Sequence, residues 1–203
     1  MRETIAAPTA SDTAPARKAM IDSQLRTSGV NEEYVLARML AVPRENFVPA
    51  DKAPLAYTDR SLVLGDGAML AAPLFYGKLL VEAAPHADDR VLIVSAGTDY
   101  LAELVRPLVA GVTQIGQVEA ASSPAKEGER YSLILIDGAV EELREGLASQ
   151  LEEGGRIVGG LVLRKVTRLA SGRKIAGRIT LLPIEDLGIP VLPEFAAPRK
   201  WSF

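Results

Sequence analysis

Small polar residues follow an apolar, β-branched run in the middle of the chain. Val91–Val94 have the pattern of a buried strand, and a helical pattern opens at Asp99. Ser95, Gly97 and Thr98 lie between the two. In a strand–turn–helix unit of this kind the ligand lies over the turn, at the carboxyl end of the strand. The sequence therefore predicts a nucleotide-binding architecture, but nucleotide-binding turns usually carry two or three glycines and this one carries a single glycine.

An acidic residue follows another buried run. Asp137 comes directly after the predicted strand Ser132–Ile136. A carboxylate at the carboxyl end of a parallel strand is well placed for chemistry. The residues from Ala139 onwards have the pattern of an amphipathic helix, and an aspartate before a helix commonly caps it. The sequence favours the capping role and leaves a role in a site open.

The composition excludes several other chemistries. The chain has no cysteine, so disulfides, zinc–thiolate sites and cysteine nucleophiles are ruled out. Its one histidine, His86, falls in a polar stretch typical of a surface loop, which leaves no histidine cluster for a metal and no strong candidate for a catalytic triad. A formal net charge of −3 gives no electrostatic reason to expect nucleic-acid binding.

Nothing in the sequence predicts a membrane segment, because no apolar run approaches the ~20 residues that span a bilayer. Met1–Pro15 are rich in alanine, threonine and proline and lack the apolar core of a signal peptide. We therefore expect residues 1–16 to form a flexible tail, residues 17–203 to form a single domain, and the protein to be cytoplasmic.

The remaining elements follow from periodicity and turn residues. The predicted helices are Arg17–Ser28, Glu32–Leu40 with Asn31 as its N-cap, and Ala71–Ala84. The further predicted strands are Val112–Gly116, Arg156–Leu163 and an antiparallel pair within Val166–Leu182, with a possible turn at Ser171-Gly172. Six basic residues cluster in this last region and fit a solvated face better than an anion site: Arg164, Lys165, Arg168, Arg173, Lys174 and Arg178. The pattern predicts a doubly wound α/β sheet that ends in antiparallel strands.

Three segments in the first half carry a specific resemblance. RKAMIDSQL begins at Arg17, AVPRENFVP at Ala41 and LAYTDRSLVLGDG at Leu55. Their order before a strand–turn–helix unit resembles the protein-L-isoaspartate O-methyltransferase family. The resemblance implies an S-adenosylmethionine-dependent, Rossmann-like fold and methyl transfer to the carboxylate of isomerised aspartates in damaged proteins.

The substrate motif departs from the family pattern. After its Gly-x-Gly the family has Gln-Thr-Ile-Ser-Gln-Pro, whose serine helps hold the substrate carboxylate. Here Gly65-Asp66-Gly67 precede Ala68-Met69-Leu70-Ala71-Ala72-Pro73, and Ala71 stands at the serine position. An alanine methyl group cannot donate to a carboxylate, and a desolvated charge without a partner costs several kcal/mol.

The cofactor motif departs as well. The family strand reads Leu-Glu-Ile-Gly-x-Gly-x-Gly-Tyr, and this chain has Ser95 and Asp99 at two of the glycines and Ile93 at the acid. Gly116 takes the place of the glutamate that binds the ribose, and Glu119 is displaced from that position. Loop-like residues alone separate Gly116 from Ser132, where the family has a helix and a further strand; a strand–helix–strand unit needs about 30 residues. The sheet should therefore lack an edge strand–helix unit.

These departures leave three hypotheses open. The favoured one is a pseudoenzyme that keeps the fold, binds no cofactor and acts through protein contacts of its N-terminal helices and the segment Val42–Gly67. The second is an active S-adenosylmethionine-dependent methyltransferase with a site rebuilt from Ser95, Gly97, Thr98, Asp99 and Asp137. The third is a binding module for another small ligand in the same cleft. The exposed sheet edge and the terminal Trp201 and Phe203 also make a homodimer plausible.

Overall fold

The computed structural model describes residues 13–122 and 130–197. Residues 1–12 of the predicted tail 1–16 and the terminal Trp201 and Phe203 lie outside these residues. In the described part no helix is long and apolar enough to cross a membrane.

Helices and short turns dominate the first half. The α-helices are α1 (Ala14–Met20), α2 (Glu33–Ala41), α3 (Pro73–Ala83), α4 (Tyr100–Val105), α5 (Gln117–Ser122) and α6 (Glu145–Ser149). α1 continues through a π turn, Ile21–Leu25, and a 3₁₀ turn, Arg26–Ser28, to Gly29. Gly29 has φ +85°, the left-handed geometry that ends helices.

The strands form a small hairpin and a large mixed sheet. β1 (Leu62–Gly65) pairs with β2 (Ala68–Leu70). The large sheet contains β3 (Arg90–Ser95), β4 (Gly111–Gly116), β5 (Tyr131–Val140), β6 (Leu151–Leu163), β7 (Val166–Ile175), β8 (Arg178–Ile179) and β9 (Leu182–Asp186). Its order is β4-β3-β5-β6-β7, with β8 and β9 both on the outer side of β7. β4, β3, β5 and β6 run parallel, and the remaining pairs are antiparallel.

The central strands are buried on both faces, which explains their continuous apolar runs. Ile93 and Leu135 point towards α1–α4, and Leu92 and Ile134 point towards α5 and α6. This confirms the doubly wound arrangement. Among the described residues β4 has β3 as its only strand neighbour, as expected from the missing strand–helix unit.

Several local predictions were wrong. The first helix begins at Ala14, inside the predicted tail, and Glu32, not Asn31, is the N-cap residue of α2. α5 occupies residues that had been read as loop. Ser171-Gly172 lie inside β7, and the chain reverses at Arg164-Lys165 and Ala176-Gly177, all four with positive φ.

The largest error concerns the residues after Ile136. The predicted helix from Ala139 is reduced to α6, and β5 continues through Asp137-Gly138 to Val140. The C-terminal segment causes this extension: the Ala139 amide donates to the Pro190 carbonyl at 2.7 Å, and the Leu192 amide donates to the Ala139 carbonyl at 2.8 Å. Asp137 is therefore neither a helix cap nor a turn residue.

Candidate functional site

The Ser95 side chain bridges backbone groups of the turn after β3. The Ser95 hydroxyl accepts a hydrogen bond from the Gly97 amide at 3.0 Å and donates to the Thr98 carbonyl at 2.9 Å. Gly97 has φ +104°, whereas Ser95 and Asp99 have negative φ. A side chain at either of these two positions is therefore compatible with the backbone. The amide of Gly97, which would otherwise be free for a ligand, is bonded within the turn.

The β1–β2 hairpin packs directly on this turn. The Met69 amide donates to the Ala96 carbonyl at 2.9 Å. A Cβ atom on Gly97 would lie 2.5 Å from the Cβ of Ala68, so a side chain at Gly97 would clash with Ala68. We call this packing the Ala68–Gly97 contact. It joins the two segments that would flank a ligand over the turn.

The Ala68–Gly97 contact divides the cleft. One part, about 210 Å³, lies between Asp66–Ala68, Ser95–Gly97 and Gly116–Val118. The other, about 430 Å³ and more open, lies between Asn46–Pro49, Leu64 and Thr98–Asp99. Ala68 and Gly97 line both parts. The first part is smaller than the ~300–1,000 Å³ of typical ligand pockets.

Polar side chains line both parts of the cleft: Asp66 and Gln117 in the smaller part, and Asn46, Thr98 and Asp99 in the larger part. Gly116 offers no side chain, and Glu119 does not line either part. Asp99 accepts a hydrogen bond from Gln114 Nε2 at 2.6 Å. Thr98 is buried, and its hydroxyl makes no hydrogen bond to the described residues.

Asp137 lies below the cleft and is 1% exposed. Neither carboxylate oxygen has a hydrogen-bond partner within 3.5 Å among the described residues. Burial raises the pKa of Asp137 to about 7, and the nearby Tyr76 hydroxyl, Ala96 amide and Arg44 guanidinium only partly oppose this shift. Asp137 is thus a neutral carboxylic acid over much of the acidic range.

Arg44, which the sequence analysis did not single out, is the largest fully buried side chain. Its Nε donates to the Ala56 carbonyl at 2.8 Å and its Nη2 to the Ala71 carbonyl at 2.7 Å. Its guanidinium carbon lies 5.4 Å from the Tyr76 ring centroid and 4.9 Å from that of Tyr100, within cation–π range. No signal in the sequence marks Arg44, because Glu45 and Asn46 follow it in a proline-flanked segment without a clear period.

Ala71 belongs to this buried layer. Its amide donates to the Tyr76 hydroxyl at 3.2 Å, and its carbonyl accepts from Arg44. Ala71 is 1% exposed. The position therefore contributes backbone bonds to the core and presents nothing to a substrate.

The segments that carry the resemblance bind one another. Arg17 Nε donates to the Tyr57 hydroxyl at 2.8 Å, and Arg17 Nη2 pairs with Glu45 at 3.1 Å. The Tyr57 hydroxyl donates to Glu45. Burial and the Glu45 hydrogen bond raise the pKa of Tyr57, with Arg17 opposing the shift. Residues from RKAMIDSQL, VPRENFVP and AYTD thus form one polar network that fixes α1 against the loops.

Comparison with known proteins shows which family the chain resembles. A model of the family described as Protein-L-isoaspartate(D-aspartate) O-methyltransferase matches residues 16–130, more than half of the chain. The chain belongs to this family. Relatives named protein-L-isoaspartate O-methyltransferase include those of Koribacter versatilis, 32% identical over 84% of this chain and 87% of the relative, and Methanoculleus marisnigri, 27% identical over 88% and 92%.

The isoaspartate methyltransferase fold is also found among solved structures. A Plasmodium falciparum structure, described as a protein-L-isoaspartate O-methyltransferase in complex with S-adenosyl-L-homocysteine, superposes with a TM-score of 0.66 at 17% identity. The match covers 88% of this chain and 98% of that one. The predicted family and fold class are confirmed.

The structure separates the predicted site residues of this methyltransferase-family chain. Ser95 and Gly97 line the smaller part of the cleft, and Gly97, Thr98 and Asp99 line the larger part. Asp137 lines neither. A ligand role for the four turn residues stays a prediction, and Asp137 lacks the access that such a role requires.

Proposed function

We propose that this chain is a pseudoenzyme of the isoaspartate methyltransferase family, which retains the scaffold, does not bind S-adenosylmethionine and acts through protein contacts. The observation that carries the proposal is the Ala68–Gly97 contact, which divides the cleft over the turn. A cofactor lying across the turn would have to separate the β1–β2 hairpin from β3 and break the bond from the Met69 amide to the Ala96 carbonyl.

The residues of the cleft do not fit the cofactor in other respects. The family pattern has a glutamate for the ribose at the end of β4, where this chain has Gly116, which has no side chain, followed by the uncharged Gln117. The Gly97 amide is bonded to Ser95 Oγ, so it is not free for a charged group of the ligand. Unpaired polar groups of a buried ligand cost about 1–3 kcal/mol each, so each such loss weakens binding by about 5-fold to 150-fold.

The substrate side supports the same proposal. At the position where the family pattern has a serine for the substrate carboxylate, this chain has Ala71, whose side chain is apolar and buried. Methyl transfer requires above all that the donor and acceptor be positioned, because the cofactor supplies the chemistry. This chain lacks the serine with which the family pattern holds the substrate carboxylate. It also lacks two of the three glycines and the glutamate that the pattern uses for the cofactor.

Surfaces away from the cleft are suited to protein contacts. A hollow of about 420 Å³ lies between the π turn after α1 and α2, and Leu40 beside it is 49% exposed. Val63 in the β1–β2 hairpin is 60% exposed. Exposed apolar residues around a concave surface are typical of protein-binding sites.

The alternative is an active methyltransferase with a rebuilt site. The names of the relatives favour it, as does the larger hollow beside Thr98 and Asp99. Incubation with an isoaspartyl peptide and methyl-labelled S-adenosylmethionine separates the two readings, with the Koribacter versatilis relative as the matched positive control. We expect no methyl ester from this chain under conditions in which the control is methylating; turnover within about 100-fold of the control supports the alternative.

A further inference from the structure

Another hollow in the described part of the chain lies away from the turn. It encloses about 490 Å³ on one face of the antiparallel strands β6–β9, beside the C-terminal end of α3. This volume is within the ~300–1,000 Å³ of small-molecule sites. We call it the arginine groove, after Arg156, Arg173 and Arg178.

Strand register explains why this face is open. Val158 pairs with Ser171, and Ser171 pairs with Leu182, so these residues form one row across three strands. α3 covers the start of this face but ends at Ala83. Beyond it Ile175 is 69% exposed and Leu182 is 62% exposed, and both line the groove. The groove therefore has an apolar surface that no described helix covers.

The guanidinium groups differ in how they are bound. Arg156 is held by Asp89 at 2.6 Å and by the Ala83 carbonyl at 3.2 Å. Among the described residues, Arg173 donates only to the Gly154 carbonyl, at 3.1 Å. Arg178 makes no hydrogen bond or ion pair with any described residue. Two guanidinium groups therefore line the groove without a carboxylate partner. One carboxylate also lines the groove, that of Glu82 on α3, and it is not paired with any described residue.

Hydroxyl groups accompany these cations. Ser171 on β7 and Thr180 line the groove, and neither side chain is hydrogen-bonded to the described residues. Thr180 falls in the break between β8, which ends at Ile179, and β9, which begins at Leu182. Cationic and hydroxyl donors therefore share one hollow with an apolar surface.

We propose that the arginine groove binds a small organic acid, with its carboxylate on Arg173 and Arg178 and its aliphatic or aromatic body against Ile175 and Leu182. A guanidinium binds a carboxylate through two parallel N–H donors, which gives strength and orientation. Two other basic residues of the cluster are engaged elsewhere: Arg168 pairs with Asp186 at 2.6 Å, and Lys174 donates to backbone carbonyls. This site is independent of the function proposed for the cleft.

The probe for this site is 8-anilinonaphthalene-1-sulfonate, an aromatic anion that fluoresces in apolar surroundings. We expect micromolar binding to the intact chain and a loss of at least about tenfold in affinity in Arg178→Gln and in Arg173→Gln/Arg178→Gln. Arg178→Gln removes no hydrogen bond or ion pair to the described residues, so its fold should be intact. Arg60→Gln, which removes one exposed positive charge elsewhere, is the matched control and should bind like the parent.

Competition tests both halves of the proposed ligand. 1-Naphthoate should displace the probe at concentrations about tenfold lower than acetate, which lacks the apolar body, or 1-naphthalenemethanol, which lacks the charge. The proposal is overturned if the parent and Arg178→Gln bind the probe equally, if no binding is seen at about 1 mM probe, or if the uncharged alcohol competes as well as the acid.

Discussion

At the scale of single residues, buried polar side chains now support the core where the family pattern would have ligand-binding groups. Arg44 binds the Ala71 carbonyl, Tyr76 accepts from the Ala71 amide, and Asp137 lies beside Tyr76 without a hydrogen bond of its own. This layer lies directly beneath the cleft. Its polar atoms point into the protein, which suits structural support better than contact with a substrate.

Asp137 should make stability depend on pH. Its pKa is raised to about 7 by burial, so the folded state binds a proton that the unfolded state releases near pH 4. Stability should therefore fall as the pH rises from about 4 to about 7 and stay lower above that. Asp137→Asn keeps the shape and cannot ionise.

Urea denaturation of the parent and Asp137→Asn at pH 5 and pH 8 tests this. The variant should gain about 3 kcal/mol relative to the parent between the two pH values. Parallel pH profiles for the two proteins would show that Asp137 ionises normally in the folded state.

The pKa of Asp89 is shifted in the opposite direction to that of Asp137. Burial opposes its ionisation, but hydrogen bonds from Ser132, the His86 amide and Arg156 hold its pKa below the usual value. Asp89 lies just before β3 and accepts hydrogen bonds from Ser132 on β5 and from Arg156 on β6. Asp89→Ala would leave Arg156 without its carboxylate, so we expect a loss of about 3 kcal/mol in unfolding free energy. Arg106→Ala, which breaks an exposed pair, is the control and should cost less than about 1 kcal/mol.

At the scale of elements, the turn after β3 is held in a conformation that requires one glycine. Gly97 has φ +104° and touches Ala68, so Gly97→Ala should cost more than about 2 kcal/mol through backbone strain and the clash. Gly116→Ala, which meets no atom within 4 Å and has no positive φ, is the matched control. Equal melting temperatures for the two variants would show that the hairpin is free to move away from the turn.

Much of the element pattern could be predicted from the sequence. Val91–Val94 and Arg156–Leu163 lie in continuous apolar or β-branched runs, and runs of this kind reflect burial on both faces of a sheet. The helix predicted after Asp137 failed because the segment Ile189–Leu192 pairs beside Ala139, and a contact between residues so far apart leaves no local periodicity. The Ser171-Gly172 turn failed because Gly172 is needed for a close strand contact: a Cβ there would lie 2.6 Å from the Thr180 carbonyl oxygen.

The cleft was harder to predict than the fold. The sequence shows directly that Ser95 and Asp99 replace two of the glycines and that Gly116 replaces the glutamate. The Ala68–Gly97 contact and the burial of Arg44 depend on how the hairpin and the turns pack. Motif spacing carries no information about that packing, so it does not single out Arg44.

At the scale of the whole molecule, the sheet has an edge that its own described chain does not cover. β4 contains no charged residue and no proline, the features that normally block pairing between exposed edges. We propose that two copies associate through this edge. Light scattering should show a dimer at about 100 μM, and Thr113→Lys should shift it to the monomer by placing like charges opposite each other. A monomeric parent at that concentration would remove the proposal.

The central claim is that the cleft over the turn no longer accommodates the methyl donor. Isothermal titration calorimetry with S-adenosylmethionine and with S-adenosyl-L-homocysteine tests it most directly, with the Koribacter versatilis relative measured alongside. The account predicts no binding of either compound at concentrations up to about 1 mM. Binding of either one with a micromolar dissociation constant would contradict it and would show that the hairpin opens to admit the cofactor.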